Sequence, residues 1–143
     1  MDWESRWLTS LETSNLKKNR SFHASLGNAF AGLRYLFQTQ RNFRIHVVAT
    51  LLVVLAGVWL KLSVLNWVLI VFAIGLVWIS ESFNTALECF FDLIEPQENR
   101  LVKAGKDTAA AAVLIASILS AVIGVMVFGP LIWQHFSGYL AIR

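Results

Sequence analysis

Cysteine is nearly absent: the 143 residues hold one, Cys89. A single cysteine closes no internal disulfide, and no Cys/His cluster has metal-ligand spacing. The three histidines lie at 23, 46 and 135, none of them set against the thiol. Cys89, inside an apolar stretch, therefore reads as a packing residue and not as a nucleophile. Charge is scarce as well. Asp, Glu, Lys and Arg make up 15% of the chain against 57% hydrophobic residues, and the mean hydropathy is +0.61. That balance excludes an ordinary soluble globule and places the chain among membrane proteins. The net charge of +3 is modest, and no RNA- or DNA-binding motif accompanies the basic groups; no nucleic-acid partner is expected. Residues 1–20 are polar and lack the apolar core of a signal peptide.

What the chain does hold is apolar runs of spanning length. Residues 1–19 carry scattered charge with weak periodicity and read as an N-terminal extension. From 20 to 40 the pattern changes: Phe22, Leu26, Phe30, Leu33 and Phe37 recur every three or four residues, with Arg20, Asn28, Arg34 and Gln38 off the stripe. Aromatics on one face and arginine on the other predict an amphipathic helix lying in the headgroup plane. A short basic turn, 41–45, leads into a first span at 43–62, about 20 residues, the length a bilayer needs. A turn at 61–65 precedes a second helix that continues to Asp92. At 1.5 Å per residue it runs to about 42 Å, longer than the hydrocarbon core, so its last turns emerge at headgroup level. A polar loop at 93–106 follows, then a charge-free third span at 108–132 that opens on five small residues and is loosened at its far end by Gly129-Pro130. The fold class is thus all-α and integral to the membrane: three transmembrane helices plus an N-terminal amphipathic surface helix. The embedded domain covers 20–136, and 137–143 form a short tail.

Against that apolar background one stretch is anomalous: Glu81-Ser-Phe-Asn84-Thr-Ala-Leu-Glu88-Cys-Phe-Phe-Asp92. On a helix, with Glu81 at the origin, Asn84, Glu88 and Asp92 fall at about −60°, −20° and +20°. Three carboxylates and one carboxamide share a narrow stripe. Glu88 and Asp92 could be solvated at the surface, but Glu81 would remain deep, and an ionisable group at such depth marks function by default.

Lys/Arg counts give the orientation. Seven precede the first span (Arg6, Lys17, Lys18, Arg20, Arg34, Arg41, Arg44), Lys61 stands alone in the first turn, Arg100, Lys103 and Lys106 follow the second span, and Arg143 lies in the tail. The excess is cytoplasmic, so the N-terminus and the 93–107 loop are inside, and the 61–65 turn and the C-terminus outside. The dense polar chemistry then faces the compartment that holds ATP. Gly105-Lys106-Asp107 lies one short loop from the acidic stripe. Carboxylates can hold Mg²⁺ and accept the proton of an attacking hydroxyl, and lysine neutralises polyphosphate; together they suit phosphoryl transfer. Gly105-Lys106 is not a P-loop, because Asp follows the lysine and the earlier glycine is missing. Lys106-Asp107 could equally mark a helix start with Asp107 as N-cap. Spacing alone also admits an ion- or proton-conducting oligomer with Glu81 in its path, or a structural membrane anchor.

The stretch 81–92 resembles the Glu-x-x-Asn-Ser/Thr-Ala-Ile/Leu-Glu-x-x-x-Asp motif of the prokaryotic diacylglycerol kinase family, which includes undecaprenol kinases. Ala104-Gly-Lys106-Asp107-Thr-Ala-Ala-Ala-Ala-Val113 resembles a second family segment. Arg20-Ser-Phe22, Gly32-Leu33 and Arg41-Asn-Phe43-Arg44-Ile-His46 are similar to the family's surface helix and its lead-in to the first span. The resemblance covers about 20–132. It implies a homotrimer in the inner or plasma membrane that transfers the ATP γ-phosphoryl, with Mg²⁺, to the hydroxyl of a membrane lipid, either a diacylglycerol or undecaprenol. By position it marks Glu81 as general base, Asn84 as a positioning amide, Glu88 as metal ligand and Asp92 as a polar site residue. It marks Lys106 and Asp107 as nucleotide contacts, and Phe43 and Arg44 as substrate-side residues beside Glu81.

Two positions depart from the family pattern. Where a second metal-binding Glu is common, this chain has Gln40, a weak carbonyl donor for Mg²⁺. Either Gln40 takes that role, or water or another carboxylate does, or the chain is a catalytically impaired relative. In the loop after the first motif, Gln97-Glu98-Asn99 replaces the family's Glu-Tyr-His, which puts nucleotide contacts from that loop in question.

Overall fold

The computed structural model describes residues 22–95, 97 and 99–140. The extension 1–19, the first two residues of the expected surface helix, Pro96, Glu98 and the chain end at 141–143 lie outside the described residues. Four helices make up the described chain: α1 (Phe22–Thr39), α2 (Arg41–Trp59), α3 (Val64–Ile94) and α4 (Arg100–Leu140). The last three are long and apolar enough to cross a membrane, as an all-α integral membrane protein requires.

α1 belongs to a unit of its own, separate from the unit formed by Thr39 onward. Within it Leu36 is buried, while Phe22, Leu26, Phe30, Leu33 and Phe37 stay exposed. An aromatic stripe left uncovered suits a helix whose apolar face meets lipid.

In the second unit, α2 and α3 form a hairpin closed by a tight turn. Leu62 N–H donates to the Gly57 carbonyl at 3.0 Å, and Lys61 N–H to the Val58 carbonyl at 3.2 Å. These paired bonds form a Schellman cap, which needs one residue in the left-handed region. That residue is Lys61, at φ 52°. Its backbone terminates the helix. Gly57 is required here: a Cβ would lie 2.8 Å from Trp67 Cη2 and 2.9 Å from Leu62 Cδ1. Ser63 then caps α3, its hydroxyl accepting from Asn66 N–H at 3.3 Å. Leu62 is buried with Ile70 and Val127, and Val53, Trp67, Ile123 and Phe128 pack around them.

α3 and α4 share the most extensive contact, and α2 packs on α3 along a shorter seam. On α4 the seam is Ala109, Val113 and Ala116, all buried, and on α3 it is Ala73 and Val77. Small residues let the two backbones close, and Ser120 donates to the Ala73 carbonyl at 2.9 Å across the gap. Of the five small residues that open the third span, Ala109 alone is buried. α2 is tied to α3 by Trp78, whose indole N–H donates to Thr50 Oγ1 at 3.2 Å, and by a T-shaped contact of Trp78 with Phe43 at 5.1 Å.

Three sequence expectations change. The lead-in 41–45 is the first helical turn of α2 and not a separate turn. The expected 93–106 loop shrinks to 95–99, because α4 starts at Arg100. Asn99 caps that start, its Oδ1 accepting from Leu101 N–H at 2.8 Å; Asp107 is therefore inside the helix and is not its N-cap. α4 also continues through Pro130 to Leu140. Such a proline is tolerated within a membrane helix, where neighbouring groups compensate for the lost bond.

Candidate functional site

α3 is 31 residues long, about 46 Å, and so outreaches a hydrocarbon core of about 30 Å. Glu81 lies roughly 25 Å along it from Val64, near the depth at which a core begun there would end. Burial grades along the stripe accordingly. Glu81 is 1% exposed and Asn84 8%; Glu88 is half-buried and Asp92 exposed.

The upper half of the stripe faces a cavity of about 280 Å³ between α2, α3 and α4, lined among others by Asn42, His46, Glu81, Asn84 and Ser117. Asn84 Nδ2 donates to Glu88 Oε1 at 3.1 Å. Thr85 Oγ1 donates to the Glu81 carbonyl at 3.0 Å, so that hydroxyl supports the backbone and not the carboxylate. Two acceptors are left over: Glu81 Oε2 and Asn84 Oδ1 are both buried without a partner. A buried orphan acceptor costs about 1–3 kcal/mol, so two of them on one cavity wall call for a ligand that brings a donor or a cation.

The lower half faces a second, more polar cavity of about 460 Å³, lined by Asp92, Asn99, Arg100, Lys103, Lys106 and Asp107 with neighbours. Lys106 Nζ pairs with Asp92 across the α3–α4 junction. Lys103 pairs with Asp107 at 2.9 Å one turn apart, both well exposed. The junction is drawn together by Gly105, over which the Phe91 ring lies so closely that a Cβ would fall 2.5 Å from Cζ. Two lysines and an arginine around one cavity suit a polyphosphate.

The expected residues thus divide into two neighbouring groups: Glu81 and Asn84 above, Asp92, Lys106 and Asp107 below, with Glu88 joined to the upper group through Asn84. Phe43 is 2% exposed, set edge-on against Trp78, and Arg44 is exposed on α2 beside Arg41 and Ile45. Neither lines the Glu81 cavity. Gln40 sits at the N-cap position of α2, and its side chain makes no capping bond. Asn42, His46 and Ser117 were not singled out as site residues. Asn42 and His46 stand four apart, one helical turn, and that spacing is the signal that could have found them. Among the described residues no group of three His, Cys, Asp or Glu forms a protein-only metal cage. Mg²⁺ does not need one, since it is held by one or two carboxylates, phosphate oxygens and water. Half-buried Glu88 beside two orphan acceptors fits that mode.

Fold and site together define an all-α integral membrane protein that gathers its acidic and basic groups at one end of three spans. The chain belongs to the prokaryotic diacylglycerol kinase family, whose profile matches residues 27–128. It is 37% identical over 109 residues to the undecaprenol kinase of Bacillus subtilis, covering 76% of this chain and 89% of that protein. It is 36% identical over 110 residues to the diacylglycerol kinase of Escherichia coli, covering 77% and 87%. A diacylglycerol kinase of Synechocystis is 42% identical over 97 residues, covering 67% of this chain and 55% of that longer protein. The matched region takes in both cavities. These relatives are kinases, and nothing in the comparisons favours a conducting oligomer, a bare anchor or an impaired relative.

Proposed function

We propose that the chain is an ATP-dependent lipid kinase that phosphorylates the hydroxyl of a membrane alcohol, either a diacylglycerol or undecaprenol. One observation carries the reading: Glu81 Oε2 and Asn84 Oδ1 form a buried pair of acceptors with no donor, at the depth where a lipid hydroxyl resides. The substrate O–H donates to Glu81 Oε2. As the hydroxyl oxygen bonds to the γ-phosphorus, its proton passes to the Glu81 carboxylate and the bond to the ADP oxygen breaks. The products are the lipid phosphate, ADP and one proton, which Glu81 later releases. Burial keeps water from taking the place of the lipid hydroxyl. Lys106 and its neighbours Lys103 and Arg100 bind the triphosphate, and Asp92 and Asp107 hold the two lysines in place. Asn84 holds Glu88 in position. Mg²⁺ would be held by Glu88 with phosphate oxygens, and Gln40 could add a carbonyl oxygen; the ion supplies neutralisation of phosphate charge.

The working form is proposed to be a homotrimer in the inner or plasma membrane, N-terminus cytoplasmic and C-terminus outside. The exposed Asp92 end of the stripe and the wide apolar surface of α2 support closure by a neighbouring copy. The lead-in sequence 40–46 leans towards undecaprenol, as does the similarity to the B. subtilis enzyme. The test is to supply the purified protein in micelles with ATP, Mg²⁺ and each alcohol in turn. A phosphorylated lipid from one of them is expected; none from any alcohol overturns the kinase reading.

A further inference from the structure

α2 carries two arginines that line neither of the cavities described above. Arg41 and Arg44 stand in its first turn, both exposed, and among the described residues neither joins an ion pair. That turn holds no acidic residue. Cations at this end of a helix oppose its dipole, so the pair does nothing for the helix itself. Its level is set by the next residue along: Asn42 lines the cavity that holds Glu81 and Asn84, so the arginines lie at the same end of the bundle as the carboxylate stripe.

A groove of about 430 Å³ runs from them along the helix, lined by Arg41, Arg44, Ile45, Val48, Ala49 and Leu52. With Arg41 at 0° these six fall between about −60° and +80° around the axis. Phe43 and Thr50, which touch Trp78 of α3, fall at about 200° and 180°. The groove is therefore on the side of α2 turned from α3, and Ile45, Val48 and Leu52 are each more than half exposed there. From Arg41 to Leu52 is eleven residues, about 16 Å along the axis. That is half of a hydrocarbon core of about 30 Å, the depth of one leaflet. A second copy of the chain has little to offer the two cations. Of the described carboxylates, Asp92 pairs with Lys106, Asp107 with Lys103, Glu88 accepts from Asn84 and Glu81 is buried, which leaves Glu95 on the polar cavity. A neighbouring copy has room elsewhere on α2: Leu51, Val54 and Val58 are also exposed and centre about 100° round from Arg41.

We infer that Arg41 and Arg44 hold the phosphate of an anionic phospholipid of the bilayer, with one acyl chain lying along Ile45, Val48 and Leu52. Guanidinium forks take phosphate oxygens two at a time. A soluble anion would satisfy the arginines and leave the apolar floor uncovered; a phospholipid covers both. Anionic lipid belongs to the cytoplasmic leaflet, the side to which the Lys/Arg counts assign this end of the chain. No carboxylate or imidazole lines the groove, so the lipid is held there and not phosphorylated. Its headgroup lies against the outer side of the helix that carries Asn42 and His46 into the Glu81 cavity, and so steadies that wall of the site.

Photolabelling tests it, with the full chain in phosphatidylcholine nanodiscs. A trace of phosphatidylglycerol or of phosphatidylcholine carries a diazirine in mid-chain. At equal mole fraction the phosphatidylglycerol probe should label Val48, Ala49 and Leu52 more strongly than the phosphatidylcholine probe, while Leu51, Val54 and Val58 take both alike. Arg41→Gln and Arg44→Gln should each lower that preference about fivefold, the effect of one cation on a nearby anionic lipid. Loss of these charges can disturb insertion, so Arg41→Lys and Arg44→Lys serve as a second pair that keeps the charge and removes the fork; each should lower the preference at least twofold. Four results overturn the inference: no preference in the wild type, an equal preference on the Leu51 face, no label in the groove from either probe because another copy covers it, or a preference that the lysine variants leave whole. No ATP or turnover enters the measurement, so its outcome is independent of the kinase reading.

Discussion

The ring of Phe91 covers Gly105 so closely that no side chain could stand there; a Cβ would fall 2.5 Å from one ring carbon and 2.9 Å from the next. This contact fixes the inner end of α3 against α4 and sets Lys106 beside Asp92. Gly105→Ala should push the ring aside, at an overpacking cost of about 1–3 kcal/mol, and loosen the Lys106–Asp92 pair. A raised KM for ATP with a smaller change in the KM for lipid is expected. Adding Phe91→Leu should recover part of both losses. Steady-state kinetics and thermal unfolding of the two variants would check this, and an unaltered KM for ATP in Gly105→Ala would refute it.

Glu81→Gln keeps the shape of the buried side chain and removes the base. Turnover should fall by about 10²–10⁴, the range of general-base contributions. Thermal stability should hold or rise slightly, because the amide replaces a buried carboxylate with an unpartnered oxygen. Retention of more than a tenth of the wild-type rate would remove Glu81 from the catalytic role.

Asn84→Ala cuts the 3.1 Å bond that orients Glu88. Loss of a group that orients a metal ligand costs about 10–100-fold in metal affinity. The Mg²⁺ concentration for half-maximal activity should rise by about that factor, more than the KM for lipid does. An Mg²⁺ titration in which the midpoint stays put would show that Asn84 supports the helix and not the metal ligand.

Gln40→Glu offers a carboxylate in place of a carboxamide at the head of α2. Activity should be unchanged or higher, with half-maximal activation at a lower Mg²⁺ concentration, because a charged oxygen is the better ligand for a hard cation. A large loss of activity would exclude a metal role at this position.

Lys106→Met leaves the apolar stem and removes the charge. The KM for ATP should rise about tenfold, the effect expected of a charge-assisted contact to phosphate, with a smaller rise for Lys103→Met, whose partner Asp107 is also well exposed. Equal effects from the two variants would argue against a distinct place for Lys106.

Much of this was legible in the residues. The spans follow from apolar length, and the carboxylate stripe from helical spacing, because polar groups are conspicuous where lipid should be. What escaped was set by contacts between helices. Ser117 looked like one small residue among many until α3 brought Glu81 opposite it. Phe43 and Arg44 carried a family resemblance, but the helix turns one inward onto Trp78 and the other outward. Asp107 resembled a cap because a loop was expected before it; Asn99 had already taken that role about two turns earlier. Lys61 in the left-handed region is similarly invisible, since that place is usually held by glycine or asparagine.

The turn that Lys61 closes has a bearing on how the protein is made. Between Trp59 and Val64 four residues suffice, held by the two bonds to Gly57 and Val58. So short a link lets α2 and α3 pair side by side as soon as both have been synthesised. A change that lengthens or frays the turn should therefore show first as a lower yield of membrane-inserted protein, before any defect in the finished enzyme.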